Sequence, residues 1–185
     1  MTIGILGGTF DPPHMGHLGA GKIALDSGLV DKVIYIPCAR HAFDKTPQSF
    51  SHRLSMCRLL VNGQKNMETS DIENSLENPG RTYDLIVALK KKFSGEEFRL
   101  VVGSDIFFEK HRWYKFDLLQ KMAPFIYIKR AGEKKIPVKT LPSPARVSSS
   151  EIRQMLLNKK HNTSLMPDCV IDYIYKNKLY GTDYG

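Results

Sequence analysis

The residues of this chain best suited to chemistry stand near its start, where His14 and His17 follow a glycine-rich turn. An apolar run over residues 2–6 leads into Gly7-Gly8-Thr9, and the histidines come where the chain turns helical. A strand, a glycine turn and a helix start often bind anions, because unpaired backbone N–H groups face the ligand. Spaced i, i+3, the two histidines share a helix face and can donate to one phosphate. The pattern predicts a nucleotide-phosphate site.

A second candidate anion site lies far downstream, where Ser149 and Ser150 precede Arg153 in a serine-rich segment. Serines at a helix start cap the helix, and capping uses the same N–H groups that bind phosphate. A guanidinium beside them adds a bidentate positive charge. The segment is therefore typical of a capped helix, of a phosphate site, or of both together.

Both segments resemble the motifs of one enzyme family. The opening GGTFDPPHMGHL resembles the HxGH signature of the nucleotidylyltransferase superfamily, and in particular of bacterial nicotinate mononucleotide adenylyltransferases. Residues 147–153, VSSSEIR, are similar to the family's SSTxIR segment, with Ser150 in place of threonine. The resemblance continues through Gly103-Ser104-Asp105, Trp113 and the terminal Leu179-Tyr180, so it covers nearly the whole chain.

The resemblance implies transfer of the adenylyl group of ATP to nicotinate mononucleotide, with release of pyrophosphate. Such a reaction needs mainly positioning and charge stabilisation, so the lack of a nucleophilic Ser or Cys motif is expected. Mg²⁺ should accompany ATP as the cofactor. We expect phosphates and water to hold it, because the sequence has no acidic cluster that would serve as a protein metal site.

The resemblance also implies which residues form the site. The catalytic set is His14, His17 and Arg153. The ATP-binding set is Gly7, Gly8, Thr9, Phe10, Gly103, Asp105, Ser149 and Ser150. The acceptor-binding set is Lys45, Arg81, Thr82 and Trp113. The indole ring of Trp113 is expected to stack on the cationic nicotinate ring, a contact of order 1 kcal/mol.

The chain departs from the family pattern on the acceptor side. It has Gly80-Arg81-Thr82 where the family commonly reads Ser-Tyr-Thr, and Lys45 matches the family's PPHK loop only loosely. A guanidinium at Arg81 can pair with the nicotinate carboxylate and disfavour the amide. Nicotinamide mononucleotide, phosphopantetheine and cytidyl-alcohol phosphates stay open as alternative acceptors, and a nucleotide-sensing regulator stays open as a non-enzymatic reading.

Length and patterning predict the fold that positions these residues. The chain has 185 residues, of which 42% are hydrophobic, and this suits one domain over residues 1–185. Short apolar runs alternate with segments of helical period, which favours an α/β, Rossmann-like, doubly wound domain with a helical C-terminal segment. The mainly parallel sheet should have five or six strands, at residues 2–6, 32–36, 67–69, 98–102 and 125–129, with a weaker strand at 138–141. Helices are expected at 17–26, 50–61 and 83–93, as a broken pair over 106–122, and twice more near the end.

Charge and cysteine content bound the partners and the compartment. The net charge of +8 is spread along the chain and accompanies no nucleic-acid recognition motif, so we expect small anionic substrates, no nucleic acid and no membrane. Three widely spaced cysteines indicate a reducing cytoplasm. Residues 16–22 fit the P-loop core GxxxxGK, but Ile23 replaces the required Ser or Thr, so we treat this match as chance. The sequence leaves the oligomeric state open.

Overall fold

The structure, a computed structural model, describes residues 1–40, 47–129, 136–142, 147–160, 162 and 164–182. Its strands are β1 (Thr2–Gly8), β2 (Lys32–Pro37), β3 (Met67–Thr69), β4 (Glu97–Gly103), β5 (Phe125–Ile128) and β6 (Thr140–Leu141). They form one six-stranded sheet in the order β3-β2-β1-β4-β5-β6, and neighbouring strands pair in parallel. The expected parallel sheet is therefore confirmed, with small shifts of the strand ends.

The helices also follow the predicted periodicity. They are α1 (Met15–Asp26), α2 (Phe50–Val61), α3 (Thr82–Lys92), α4 (Ile106–Glu109), α5 (Phe116–Met122), α6 (Ser149–Leu157) and α7 (Asp168–Lys176). Residues 16–22 lie inside α1, so the GxxxxGK match is part of a helix, as expected. A 3-10 turn at Ile72–Ser75 was not predicted. Among the helices just named, none has the length and apolar composition needed to cross a membrane.

Helices cover both faces of the sheet, because alternate strand residues point to opposite faces. Leu6 and Tyr35 belong to one buried apolar cluster, which α1, α2, α6 and α7 complete. Ile5 and Ile34 belong to a second cluster, which includes residues of α3 and α5. The doubly wound architecture predicted from the alternating pattern is thereby confirmed.

The strand order places a topological switch point beside β1. The chain runs from β1 outward to β2 and β3, and then returns to place β4 on the other side of β1. In such sheets a crevice opens beyond the carboxyl ends of the two strands where the order reverses, and ligands bind there. Here those ends are Gly8 and Gly103. Both lie in segments that the sequence assigned to the nucleotide.

Candidate active site

The end of β1 leaves room for a ligand. Gly7 is exposed, and a Cβ atom built on it meets no other atom within 4 Å. Phe10 behaves differently from its neighbours in the predicted ATP set, because its side chain is only 1% exposed. Its ring packs edge-on against His17, with the ring centroids 4.8 Å apart. Phe10 therefore packs against His17, and its buried ring leaves almost no side-chain surface for a nucleotide to contact.

The two histidines form a stacked pair at the start of α1. Their ring centroids are 3.7 Å apart with 27° between the planes. The backbone N–H of His14 donates to Nδ1 of His17 at 3.2 Å. Because Nδ1 accepts this bond, a neutral His17 carries its proton on Nε2, which is the kind of donor that a phosphate oxygen accepts. Sequence spacing predicted the shared face, and the hydrogen bond to Nδ1 favours the Nε2–H tautomer of a neutral His17.

The start of α6 packs directly on the turn that precedes α1. Arg153 Nη1 donates to the carbonyl oxygen of Asp11 at 2.6 Å, and Ser149 Oγ donates to that of Pro12 at 2.9 Å. Arg153 Nη2 also donates to Ser150 Oγ at 3.1 Å. The second predicted phosphate segment therefore lies against the first.

The capping role belongs to Ser148 rather than to the two serines of the predicted set. Ser148 Oγ accepts from the N–H of Glu151 at 3.2 Å, and Glu151 Oε2 accepts from the N–H of Ser148 at 2.9 Å. This reciprocal pair is a capping box. The hydroxyl of Ser149 or Ser150 is thus not needed as the helix cap. The sequence had left capping and phosphate binding as possible roles of the same serines, and the structure assigns capping to Ser148.

Asp11 connects four segments of the site. Its Oδ1 accepts from the hydroxyl of Tyr180 at 2.7 Å and from the N–H of Gln48 at 3.1 Å. Its Oδ2 lies 3.8 Å from Arg153 Nη1. Burial, together with the hydrogen bond to Asp11, raises the pKa of Tyr180, which further favours its hydroxyl form as the donor. The sequence analysis gave Asp11 no role and Tyr180 none beyond the family pattern.

The opposite side of the crevice carries Gly103 and Asp105. Gly103 is the last residue of β4 and pairs with Ile128 of β5. The next residue, Ser104, continues the ladder by donating its N–H to the Ile128 carbonyl oxygen at 2.9 Å. Asp105 follows at the start of α4. Because β4 pairs with β1 as well as with β5, Gly103 and Asp105 lie at the crevice beyond the end of β1.

A cavity of about 250 Å³ opens at the same edge of the sheet. Gly7, Gly8 and Thr9 line it, together with residues that follow β2 and β3 and with Trp113. Thr82 and Trp113, both predicted to bind the acceptor, are among the lining residues. The ring of Trp113 packs edge-on against Phe125, with the centroids 5.6 Å apart. The cavity thus joins the end of β1 to the predicted acceptor side.

The other two predicted acceptor residues are placed differently. Arg81 is exposed, and its guanidinium lies 4.8 Å from the ring centroid of Tyr114 instead of lining the cavity. Its chain neighbours Gly80 and Thr82 do line the cavity, so Arg81 stands at the rim. Lys45 lies outside the residues that the structure describes.

Sequence reasoning missed two buried charged residues, Arg53 and Glu73, which are 2% and 4% exposed. Arg53 Nη1 donates to the Thr9 carbonyl oxygen at 2.8 Å, and its Nε donates to that of Gln48 at 2.8 Å. Glu73 Oε2 accepts from the backbone of both Ala39 and Gly80. Arg53 falls on the apolar face of α2, a signal that could have marked it. Glu73 stands in a polar stretch, where no comparable signal exists.

Comparison with known proteins agrees with this geometry. The sequence model of the cytidylyltransferase-like family matches residues 5–155. The chain is 36% identical to a probable nicotinate-nucleotide adenylyltransferase of Anaeromyxobacter dehalogenans (strain 2CP-C), over 96% of both chains. It is 33% identical to the nicotinate-nucleotide adenylyltransferase of Bacillus subtilis (strain 168), over 96% of this chain and 97% of that one. The chain belongs to the nicotinate-nucleotide adenylyltransferase family.

Solved structures agree with this adenylyltransferase fold. The Plasmodium falciparum nicotinic acid mononucleotide adenylyltransferase complexed with NaAD superposes with a TM-score of 0.82 at 24% identity, covering 100% of this chain and 99% of that one. The same protein complexed with APC gives a TM-score of 0.82 at 23% identity and the same coverage. These structures confirm the predicted fold, and the relatives named above confirm the family predicted from the HxGH and SSTxIR-like segments.

Proposed function

We propose that this chain transfers the adenylyl group of ATP to nicotinate mononucleotide, producing nicotinate adenine dinucleotide and pyrophosphate. The observation that carries the proposal is the contact between Arg153 and Asp11, which places the starts of α1 and α6 on one loop. That loop leaves β1 beside the 250 Å³ cavity lined by Thr82 and Trp113. A triphosphate site and a pocket for the acceptor thus adjoin each other. Membership of the family supports the same conclusion.

In this reaction a phosphate oxygen of the acceptor forms a bond to the α-phosphorus of ATP. The bond from that phosphorus to the oxygen bridging to the β-phosphate breaks, and its electron pair leaves with pyrophosphate. We assign His14, His17 and Arg153 to the triphosphate, where they hold it in line and stabilise the charge that develops. The backbone N–H groups of Ser149 and Ser150 and the hydroxyl of Ser150 add further donors at the start of α6, whereas the hydroxyl of Ser149 donates to the Pro12 carbonyl oxygen.

We propose Mg²⁺ as the companion of ATP. Among the described residues no group of three or more His, Cys, Asp or Glu side chains is placed to hold a metal ion. We propose that the triphosphate and water would coordinate the ion while the protein contacts the phosphates, because Mg²⁺ keeps several waters and binds substrate phosphates. The ion would neutralise phosphate charge, and His17 and Arg153 would orient the phosphates.

The acceptor half of the site is assigned to residues of three segments. We assign Trp113 to stack on the nicotinate ring and the backbone at Thr82 to contact it, because both residues line the cavity. Arg81 stands at the rim, where it can pair with the carboxylate of the acid. Lys45 is kept as a further predicted contact. We also propose a cytoplasmic location, which is supported by the free thiols of Cys38, Cys57 and Cys169.

Pyrophosphate release from ATP tests the proposed function. The purified protein is incubated with Mg-ATP and one of four acceptors: nicotinate mononucleotide, nicotinamide mononucleotide, phosphopantetheine or a cytidyl-alcohol phosphate. We expect the highest kcat/KM with nicotinate mononucleotide. A protein that binds the dinucleotide but releases no pyrophosphate with any acceptor would be a sensor, and the proposal would be wrong.

A further inference from the structure

We propose that Glu73 is a positioning residue that sets the geometry of the acceptor wall of the cavity. The inference rests on the proposed function, because it concerns how the same site recognises its acceptor. Glu73 lies in the 3-10 turn after β3 and lines the cavity. Its side chain holds two backbone segments that come from different parts of the chain.

One carboxylate oxygen makes both contacts. Oε2 of Glu73 accepts from the N–H of Ala39 at 2.9 Å and from the N–H of Gly80 at 3.0 Å. Ala39 follows β2, whereas Gly80 precedes α3, so the two segments are joined through Glu73 at the carboxyl edge of the sheet. One oxygen that accepts from two N–H groups keeps both within hydrogen-bond distance of itself. The spacing between the segments is therefore set by the position of this oxygen.

The backbone at Gly80 is packed closely against the other segment. Gly80 has φ +87°, and a Cβ atom built on it would lie 3.0 Å from the carbonyl oxygen of Arg40. A side chain at this position would be strained by the backbone conformation and would press on Arg40. The close approach of Gly80 to Arg40 and the two hydrogen bonds of Glu73 therefore join the same two backbone segments.

Burial makes the position of Glu73 well defined. The side chain is 4% exposed, and burial raises the pKa of its carboxyl group, while the two N–H bonds and the charge of Arg53 oppose that rise. A buried carboxylate that lost its partners would be left unsatisfied at a substantial cost. The side chain is thus held where it can fix both segments. Thr82, which lines the cavity, follows Gly80 by two residues and therefore depends on the position of that segment.

The effect should fall on the acceptor and not on ATP. The triphosphate residues His17 and Arg153 are held by Asp11 and the start of α1, and the bonds of Glu73 reach neither. A displaced Gly80 segment moves the cavity wall that includes Thr82. We therefore expect a change in KM for the acceptor at constant KM for ATP.

Two conservative variants test separately the length and the charge of the Glu73 side chain. Glu73→Asp keeps the charge but withdraws the carboxylate by one methylene, so it cannot satisfy both N–H groups, and KM for nicotinate mononucleotide should rise roughly tenfold or more. Glu73→Gln loses the charge but keeps a carbonyl oxygen at the same reach, so its KM should stay within about threefold of the natural protein. Glu68→Asp is the matched control, because Glu68 pairs with Lys32 at the surface.

A third variant tests the same contact without altering Glu73. Gly80→Ala places a methyl group against Arg40 and should also raise KM for the acceptor while KM for ATP stays constant. Circular dichroism and the unfolding midpoint show whether Glu73→Asp folds. If it does not, Gly80→Ala provides the test in its place.

Three results would overturn the inference: an unchanged acceptor KM in Glu73→Asp, an equal rise in both KM values, or a Gln variant as impaired as the Asp variant. If the natural protein does not use nicotinate mononucleotide, the proposed function is wrong. The same comparison is then made with the acceptor it does use.

Discussion

Arg153 donates a hydrogen bond to the main-chain carbonyl oxygen of Asp11 at 2.6 Å, across 142 residues of sequence. The same guanidinium reaches Ser150 Oγ with its other terminal nitrogen. One planar group therefore contacts the loop after β1 through one nitrogen and the start of its own helix, α6, through the other. This contact brings the two predicted phosphate-binding segments together.

Arg153→Lys tests that contact. Lysine keeps the positive charge but lacks the planar fork, so it cannot reach Asp11 and Ser150 together, and kcat/KM for ATP should fall about tenfold or more. Steady-state kinetics with varied ATP measures the change. Arg58→Lys is the matched control, because Arg58 is exposed in the last turn of α2. Unchanged ATP kinetics in Arg153→Lys would show that the fork has no part in the reaction.

His17→Ala tests the transition-state donor. Removing the Nε2 proton donor should lower kcat by roughly 100-fold while the protein stays folded. Turnover and circular dichroism are measured together, with His111→Ala as the control, because His111 is exposed on a 3-10 turn. Near-normal turnover in folded His17→Ala would remove His17 from the catalytic set.

Arg81→Ala tests how the acid is distinguished from the amide. If Arg81 pairs with the carboxylate, the preference for nicotinate over nicotinamide mononucleotide should fall roughly tenfold to a hundredfold. The ratio of the two kcat/KM values measures it. A preference that survives in Arg81→Ala would assign the discrimination to the backbone near Thr82, and Arg81 would then serve only its contact with Tyr114.

Tyr180→Phe tests the buried contact to Asp11. The variant removes the hydroxyl that donates to Asp11 Oδ1, and the free energy of unfolding should fall by about 1–3 kcal/mol because a buried acceptor loses a partner. Urea denaturation measures it. Tyr114→Phe serves as the comparison, since Tyr114 is 46% exposed. Equal stability of natural and Tyr180→Phe proteins would mean that the Gln48 N–H alone satisfies Asp11.

The sequence by itself determined those features of this protein that depend on residues close together in the chain. Apolar runs and helical periods located the strands and main helices, because burial of one face imposes a repeat on the residues that form it. The histidines and the serine-arginine segment were also readable, because each acts through donors within one or two turns of helix. Their family followed from the same short motifs.

Only the tertiary structure decided how distant segments meet. It assigned the cap of α6 to Ser148, seated the guanidinium of Arg81 on Tyr114, and buried Arg53 and Glu73 among loop backbones. The physical reason is that a side chain's partner depends on which loops the sheet brings to one edge. A buried charge must pair with the backbone groups that lie there, and no periodic pattern in the sequence identifies those groups.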